Sequence, residues 1–303
     1  ELSSSVSRRV GDIIHALEMT ARLDMAFAKG RYAVSYHGVE IETSAPYVHL
    51  VDGRHPLLKG SPVPVSLAIA PPSTGLVVTG PNTGGKTVAL KTLGLMVLMH
   101  QSGLHVPCDP STTLPLFDGV YADIGDQQSI AAAVSTFSSH IHNISAILTH
   151  ATPGSLVLLD ELGTSTDPEE GSALARAIIA HLADREVPTL VTTHHRNVAA
   201  LAEEHESLEN ASVELHPDTL EPTYRIAMGL PGRSYAMEVA ERIGLDQDVV
   251  DAAKALQDPQ HREVEVLLAG IQEERHRTRL RLQEAEEAER RAHHTHHDRT
   301  QRH

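Results

Sequence analysis

Apolar residues change their spacing several times along this chain, and each change marks an element. Leu2, Val6, Val10, Ile13, Ile14, Leu17 and Ala21 recur at helical intervals, which predicts one long amphipathic helix with Gly30 as its stop. That pattern is under way at residue 1, so the chain reads as a piece of a longer polypeptide. Tyr32 to Glu42 has strand character. Between Ser44 and Pro72, six prolines (Pro46, Pro56, Pro62, Pro64, Pro71, Pro72) exclude long helices and central strands, and a domain boundary is placed near residue 45. Farther on, Leu76-Val77-Val78-Thr79, Ser155 to Leu159 and Val187 to Thr193 read as strands, the second as a parallel strand covered on both faces. Helices are expected from Val88, over Ala131 to Leu148 with an interruption near Ser135, over Glu169 to Leu182, and from Met237 through Ile243. Glu209 to Met228 alternates as two strands about His216-Pro217-Asp218-Thr219, a hairpin flanking the sheet. The order predicts an α/β fold with a mostly parallel core sheet, an antiparallel hairpin, and helical N- and C-terminal extensions.

Toward the C-terminus Val264, Leu268, Ile271, Arg275, Thr278, Leu282, Ala285 and Glu289 alternate spacings of four and three, a heptad seam with polar members. A partial coiled coil and a solvated single helix fit it equally. His293-His294-Thr295-His296-His297 could take a stray transition metal, but no companion acid or cysteine supports a built site, and a disordered end is the expectation.

Composition narrows the function classes. A chain of 303 residues with 41% hydrophobic positions holds roughly two globular domains. The formal net charge of −15 argues against general polyanion binding, so any nucleic-acid contact must come from a local basic patch or from segments outside this chain. Cys108 is the only cysteine, which excludes an internal disulfide framework and points to a reducing cytoplasm. No signal peptide opens the sequence and its apolar runs are too short to span a bilayer, so no membrane association is expected.

The chemistry is concentrated where the strand ending at Thr79 runs into Gly80-Pro81-Asn82-Thr83-Gly84-Gly85-Lys86-Thr87, followed by Val88 inside a helix. Glycines there let backbone N–H groups approach phosphate oxygens, Lys86 reaches the terminal phosphates, and the Thr87 hydroxyl can ligate Mg²⁺. A glycine turn with a chance lysine is the bland alternative. It loses ground because the strand ending at Leu159 delivers Asp160 and Glu161 to the sheet's C-terminal edge, where open α/β sheets bind ligands. Asp160 would hold the Mg²⁺ shell and Glu161 would activate the attacking water. His194, after the next strand, could hydrogen-bond the γ-phosphate or that water. Ser135-Thr136-Phe137-Ser138-Ser139 reads by itself as a helix cap before a phosphate sensor, and Val63 as a packing residue before an adenine contact.

These residues carry a resemblance. From about residue 1 to about 257 the chain resembles the MutS family of ABC-type P-loop ATPases through Thr79-Gly80-Pro81-Asn82, Gly84-Gly85-Lys86-Thr87, Ser135-Thr136-Phe137, Leu158-Leu159-Asp160-Glu161 and Thr193-His194. Gly125-Asp126, Ser135-Thr136-Phe137-Ser138-Ser139-His140, Thr166-Asp167-Pro168-Glu169-Glu170-Gly171 and Pro222-Thr223-Tyr224-Arg225 are more similar to the second bacterial, Smr-tailed subfamily than to the mismatch-repair branch. The resemblance implies ATP and Mg²⁺ as cofactors and a homodimer in which each ATP lies between the P-loop of one protomer and Ser135 of the other. It further implies a helical lever ending near residue 45, an ATPase domain over residues 46–243 and a helical dimerisation element over 244–257; residues 258–303, beyond the resemblance, read as the partial coiled coil and disordered tail. In the longer protein it implies a clamp on mismatched or branched DNA that restrains recombination, and an Smr endonuclease. An ATPase acting on ribosomes is the alternative. A transporter ATPase fits poorly, because the Leu-Ser-Gly-Gly-Gln signature is absent. Two positions depart from the subfamily: Gln127 replaces its usual Glu, and Gly163-Thr164-Ser165-Thr166 replaces its usual Gly-Ala-Gly-Thr, which weakens the expectation of coupling between sites.

Overall fold

The computed structural model describes residues 2–43, 45–60, 62–125, 133–164, 166–216, 219–233 and 235–256, with residues 266–271, 273–274, 277–278 and 281. Most of the heptad seam, the histidine-rich tail and Gln127 lie outside the described residues. Two compact units are present: Glu1–Leu215 with Pro222–Pro231, and His216–Glu221 with Gly232–His303.

Helices α1 (Leu2–Arg8) and α2 (Val10–Ser35) open the first unit. The predicted stop at Gly30 is overturned: α2 runs through it, because the cost of one helical glycine, about 1 kcal/mol, is outweighed by good helix formers such as Ala26, Ala28, Arg31 and Ala33 around it. For the same reason the strand predicted from Tyr32 does not form. Its first residues are helical, and only Val39 and Glu42 make isolated bridges, to Val106 and Thr113. Ala33 is the one buried residue of α2, and Ile13, Leu17, Leu23 and Phe27 stand exposed.

Strands β1 (Val48–Gly53) and β2 (Val65–Ile69) pair antiparallel as a separate two-stranded sheet within the proline-rich segment. The core sheet is built from β3 (Gly75–Thr79), β4 (Gly119–Asp123), β5 (Ser155–Leu159), β6 (Thr189–Thr193), β7 (Leu208–Leu215) and β8 (Pro222–Met228). Their order is β4-β5-β6-β3-β7-β8, parallel from β4 through β7, with β8 antiparallel at the edge. The fold is thus α/β with a mostly parallel sheet, and the predicted hairpin joins the sheet through β7.

Alternation along the buried strands divides the core. Leu76, Val78, Leu156, Leu158 and Leu190 face α3 (Lys86–Gln101) and the β1–β2 sheet; Val77, Val157, Leu159 and Val191 face α4 (Ala133–His150), α5 (Pro168–Asp184) and α6 (Arg196–Glu204). Such strands, apolar on both faces, require helices on both sides. In the second unit, α7 (Ala236–Ile243) and α8 (Gln247–Leu256) turn about Gly244, whose φ of 93° suits glycine. They are joined by an ion pair between Lys254 and Glu241.

Candidate nucleotide site

The site lies at the C-terminal ends of β3, β5 and β6. After Thr79 the chain turns at Gly80 (φ 127°), makes a short 3-10 turn over Asn82–Gly84 and enters α3 through Gly85 (φ 90°). Both positive φ values favour glycine. Val213 of β7 lies beneath the loop, so that a Cβ on Gly80 or Gly84 would come within 2.6 or 2.4 Å of its Cγ2. A Cβ on Gly85 would stand 3.0 Å from the Tyr224 ring. A side chain at any of the three would have to displace Val213 or Tyr224, so glycine lets the loop lie close against β7 and β8.

Lys86 is 1% exposed and its Nζ donates to Gly80 O at 2.5 Å. Burial lowers the pKa of its ammonium, while the Glu161 and Asp160 carboxylates act to raise it. Thr87 Oγ1 donates to Asp160 Oδ1 at 3.2 Å, and the same carboxylate oxygen accepts from Thr192 Oγ1 at 2.5 Å. Thr192 in turn accepts the Glu161 N–H at 2.9 Å. These bonds hold Glu161 in the left-handed region at φ 49°, a conformation costing on the order of 1 kcal/mol for a side chain of this kind. Gly163 follows at φ 87° and packs against Gly171 in the first turn of α5.

His194 and His195 stand side by side with ring centroids 4.7 Å apart. His195 Nε2–H donates to Gly163 O at 3.2 Å, tying the end of β6 to the loop after Glu161. His194 keeps solvent access, yet its neighbours shield it enough that desolvation lowers its pKa. His195 and Lys86 lower it further, and Glu161 opposes them. A cavity of about 540 Å³ opens beside Thr87, Val88, Asp160 and Glu161, with Asp123 and His140 on its wall, within the size range of small-molecule sites.

Lys86, Thr87, Asp160 and Glu161 thus come together as the sequence motifs predict, with His194 within electrostatic reach of Glu161 and Lys86. Ser135 lies in the first turn of α4, which runs from Ala133 to His150 without the interruption expected near that residue. Thr192, Val213, Tyr224 and Asp123 had no assigned role in the sequence, because each acts through a neighbour brought to it by the sheet.

The fit to a magnesium nucleotide can be judged from the donors. A hydroxyl and a carboxylate oxygen at 3.2 Å offer a hard dication two oxygen ligands, and Mg²⁺ commonly takes few protein ligands beside phosphate and water. Among the described residues no group of three or more His, Cys, Asp and Glu side chains could hold a metal. The glycine loop and buried ammonium suit the phosphates.

Residues 76–259 match the family model for MutS domain V. The chain belongs to the MutS domain V family. This bears out the resemblance read from its motifs, and the P-loop ATPase-like fold accords with it. Similar MutS relatives include "Endonuclease MutS2" of Halothermothrix orenii, 46% identical over 276 residues that make up 91% of this chain and 35% of that protein. "Endonuclease MutS2" of Pelotomaculum thermopropionicum is 45% identical over 297 residues, 96% of this chain and 36% of that protein. That of Thermotoga maritima is 42% identical over 274 residues, 90% of this chain and 36% of that protein. The chain spans about a third of the length of the curated MutS relatives it matches. Among its described residues no helix is long and apolar enough to cross a membrane.

Proposed function

We propose that this chain is the ATPase module of a dimeric MutS-type protein, and that its nucleotide state governs DNA-holding parts of a longer polypeptide. The observation that carries the reading is the bond network joining Thr87, Asp160, Thr192 and the Glu161 main chain, which fixes the P-loop helix against the carboxylates at the strand end. Lys86 and the loop N–H groups bind and neutralise the phosphates. Thr87 and Asp160 would hold Mg²⁺, which when bound draws charge from the phosphate oxygens. Glu161 accepts the proton of the attacking water, and His194, neutral near pH 7, orients that water or the terminal phosphate. The products are ADP and inorganic phosphate. The half-exposed Tyr224 ring stands beside Gly85 of the loop.

The endonuclease in the relatives' name belongs to proteins of about three times this length, and we assign any such activity, and the grip on DNA, to segments beyond MutS domain V. ATP binding and turnover test the module directly. Lys86→Ala should lose ATP binding, whereas Glu161→Gln should bind ATP and hydrolyse it about 100- to 10,000-fold more slowly. Near-normal turnover in Glu161→Gln would remove that residue from the catalytic role.

A further inference from the structure

Asp123 closes β4 beside the nucleotide site, yet it takes no part in the chemistry above. It is 7% exposed, pairs in register with Leu159, and accepts the Asp160 N–H on its carbonyl at 2.9 Å. Its carboxylate is divided between two residues of α4. Oδ2 accepts from His140 Nδ1–H at 2.7 Å and Oδ1 from Asn143 Nδ2 at 2.9 Å. His140 and Asn143 lie three residues apart and so share one face of the helix, and Asn143 Nδ2 also donates to Ala122 O at 3.1 Å. One residue therefore holds the strand end bearing Asp160 and Glu161 by its main chain, and α4 by its side chain. At the far end of α4, Arg185 donates to Leu148 O at 2.7 Å and to Ala151 O at 2.6 Å.

We propose that Asp123, through His140 and Asn143, is a positioning residue that sets α4, and with it Ser135, by the placement of Asp160 and Glu161. The inference rests on the ATPase reading and adds its route of coupling. Ser135 stands about one and a half turns before His140 on the same helix, and a helix tied at its middle and at its C-terminal end carries its first turns with it as a body. A displacement of the Asp160 main chain consequently reaches the helix that carries Ser135 through three hydrogen bonds. Bonds to a carboxylate are short and directional, so they transmit displacement better than apolar packing, which can slide. Linkage makes the route reciprocal: whatever fixes Ser135 also biases Asp160 and Glu161.

The test uses the 303-residue chain. Steady-state ATP hydrolysis, ATP affinity and thermal unfolding are measured for Asp123→Asn, His140→Ala and the double variant. Each single change should lower kcat about 10-fold. The Kd for ATP should stay within about twofold, and the double variant should be no slower than the slower single, since the pair acts as one unit. An unchanged kcat in His140→Ala, multiplying losses in the double variant, or an ATP affinity and thermal stability that fall together with kcat would each overturn the proposal. Should Asp123→Asn fail to fold, His140→Ala with Asn143→Ala decides by the same criteria. The two readings fail differently. A wild-type chain that does not hydrolyse ATP, or is indifferent to Glu161→Gln, sinks the ATPase reading, whereas normal wild-type turnover matched by His140→Ala sinks only the role of Asp123.

Discussion

At the scale of single residues, the loop glycines answer to two different constraints. Gly84 needs no positive φ; its constraint is Val213, whose Cγ2 occupies the place of a Cβ. Gly80 meets the same methyl and also sits at φ 127°. Gly84→Ala should accordingly cost about 1–3 kcal/mol of stability by overpacking and weaken ATP binding. Adding Val213→Ala should restore much of both, while the same partner change should leave Gly80→Ala impaired. Chemical denaturation and ATP titration of the four variants check this, and equal rescue at both positions would remove the distinction. His194 yields a pH prediction. Its folded pKa lies below the ordinary value of about 6.5, so below that pH the unfolded chain takes the proton first. Its contribution to stability is complete above about pH 6.5 and is lost as pH falls toward the folded pKa. Burial lowers the pKa of His55 and His100 too and tilts the profile the same way, so the informative quantity is the difference between wild type and His194→Gln. That difference should shrink on acidification; a pH-independent difference would contradict the lowered pKa. The motif residues were legible because a P-loop and a strand ending in Asp-Glu announce themselves locally. Thr192 and Val213 were not, since a threonine and a valine in buried strands look like any others until the register sets them beside Asp160 and Gly84.

At the scale of elements, strands apolar on both faces were legible as continuous runs, and α5 by its start. Asp167 accepts from the N–H groups of Glu169 and Glu170 at 3.0 and 3.2 Å, Pro168 occupies the first turn, and the two glutamates complement the helix dipole. Asp167→Ala should lower stability by about 1 kcal/mol, and Asp167→Asn should retain most of it. Thermal or urea unfolding measures both, and equal losses would shift the explanation from capping to charge. The errors fell where the signals were weak. Gly30 is a stop only if the residues beyond it prefer another state, and Arg31, Tyr32 and Ala33 continue the helix. The β-branched and aromatic content of Tyr32 to Glu42 misled because strands are decided by available partners, and this segment finds only isolated bridges to Val106 and Thr113.

At the scale of the whole molecule, a formal charge of −15 argues against general polyanion binding by this chain, in keeping with the proposed grip of other segments on DNA. What the chain itself would supply is the coupling of two ATP sites, and that claim can be tested by mixing. If Ser135 acts across a dimer, each working site needs Lys86 from one protomer and Ser135 from its partner. Lys86→Ala and Ser135→Ala proteins should each be inactive alone. In a mixed dimer under the shared arrangement both lesions fall in one site, and the other site is wholly wild type. Were Ser135 to serve its own protomer's nucleotide, each site would keep one lesion and nothing would be regained. With random exchange half of the dimers are mixed and each has one intact site, so recovered hydrolysis should approach roughly a quarter of the wild-type rate. Heterodimers purified with two affinity tags remove the dependence on exchange and should reach about half that rate if the sites fire independently. Purified heterodimers as inactive as both parents would reject independent shared sites. ATP binding on those heterodimers then separates the remaining cases: one tight site without turnover means that neither site fires without the other, whereas two weakened sites place Ser135 beside its own protomer's phosphates and overturn the shared arrangement.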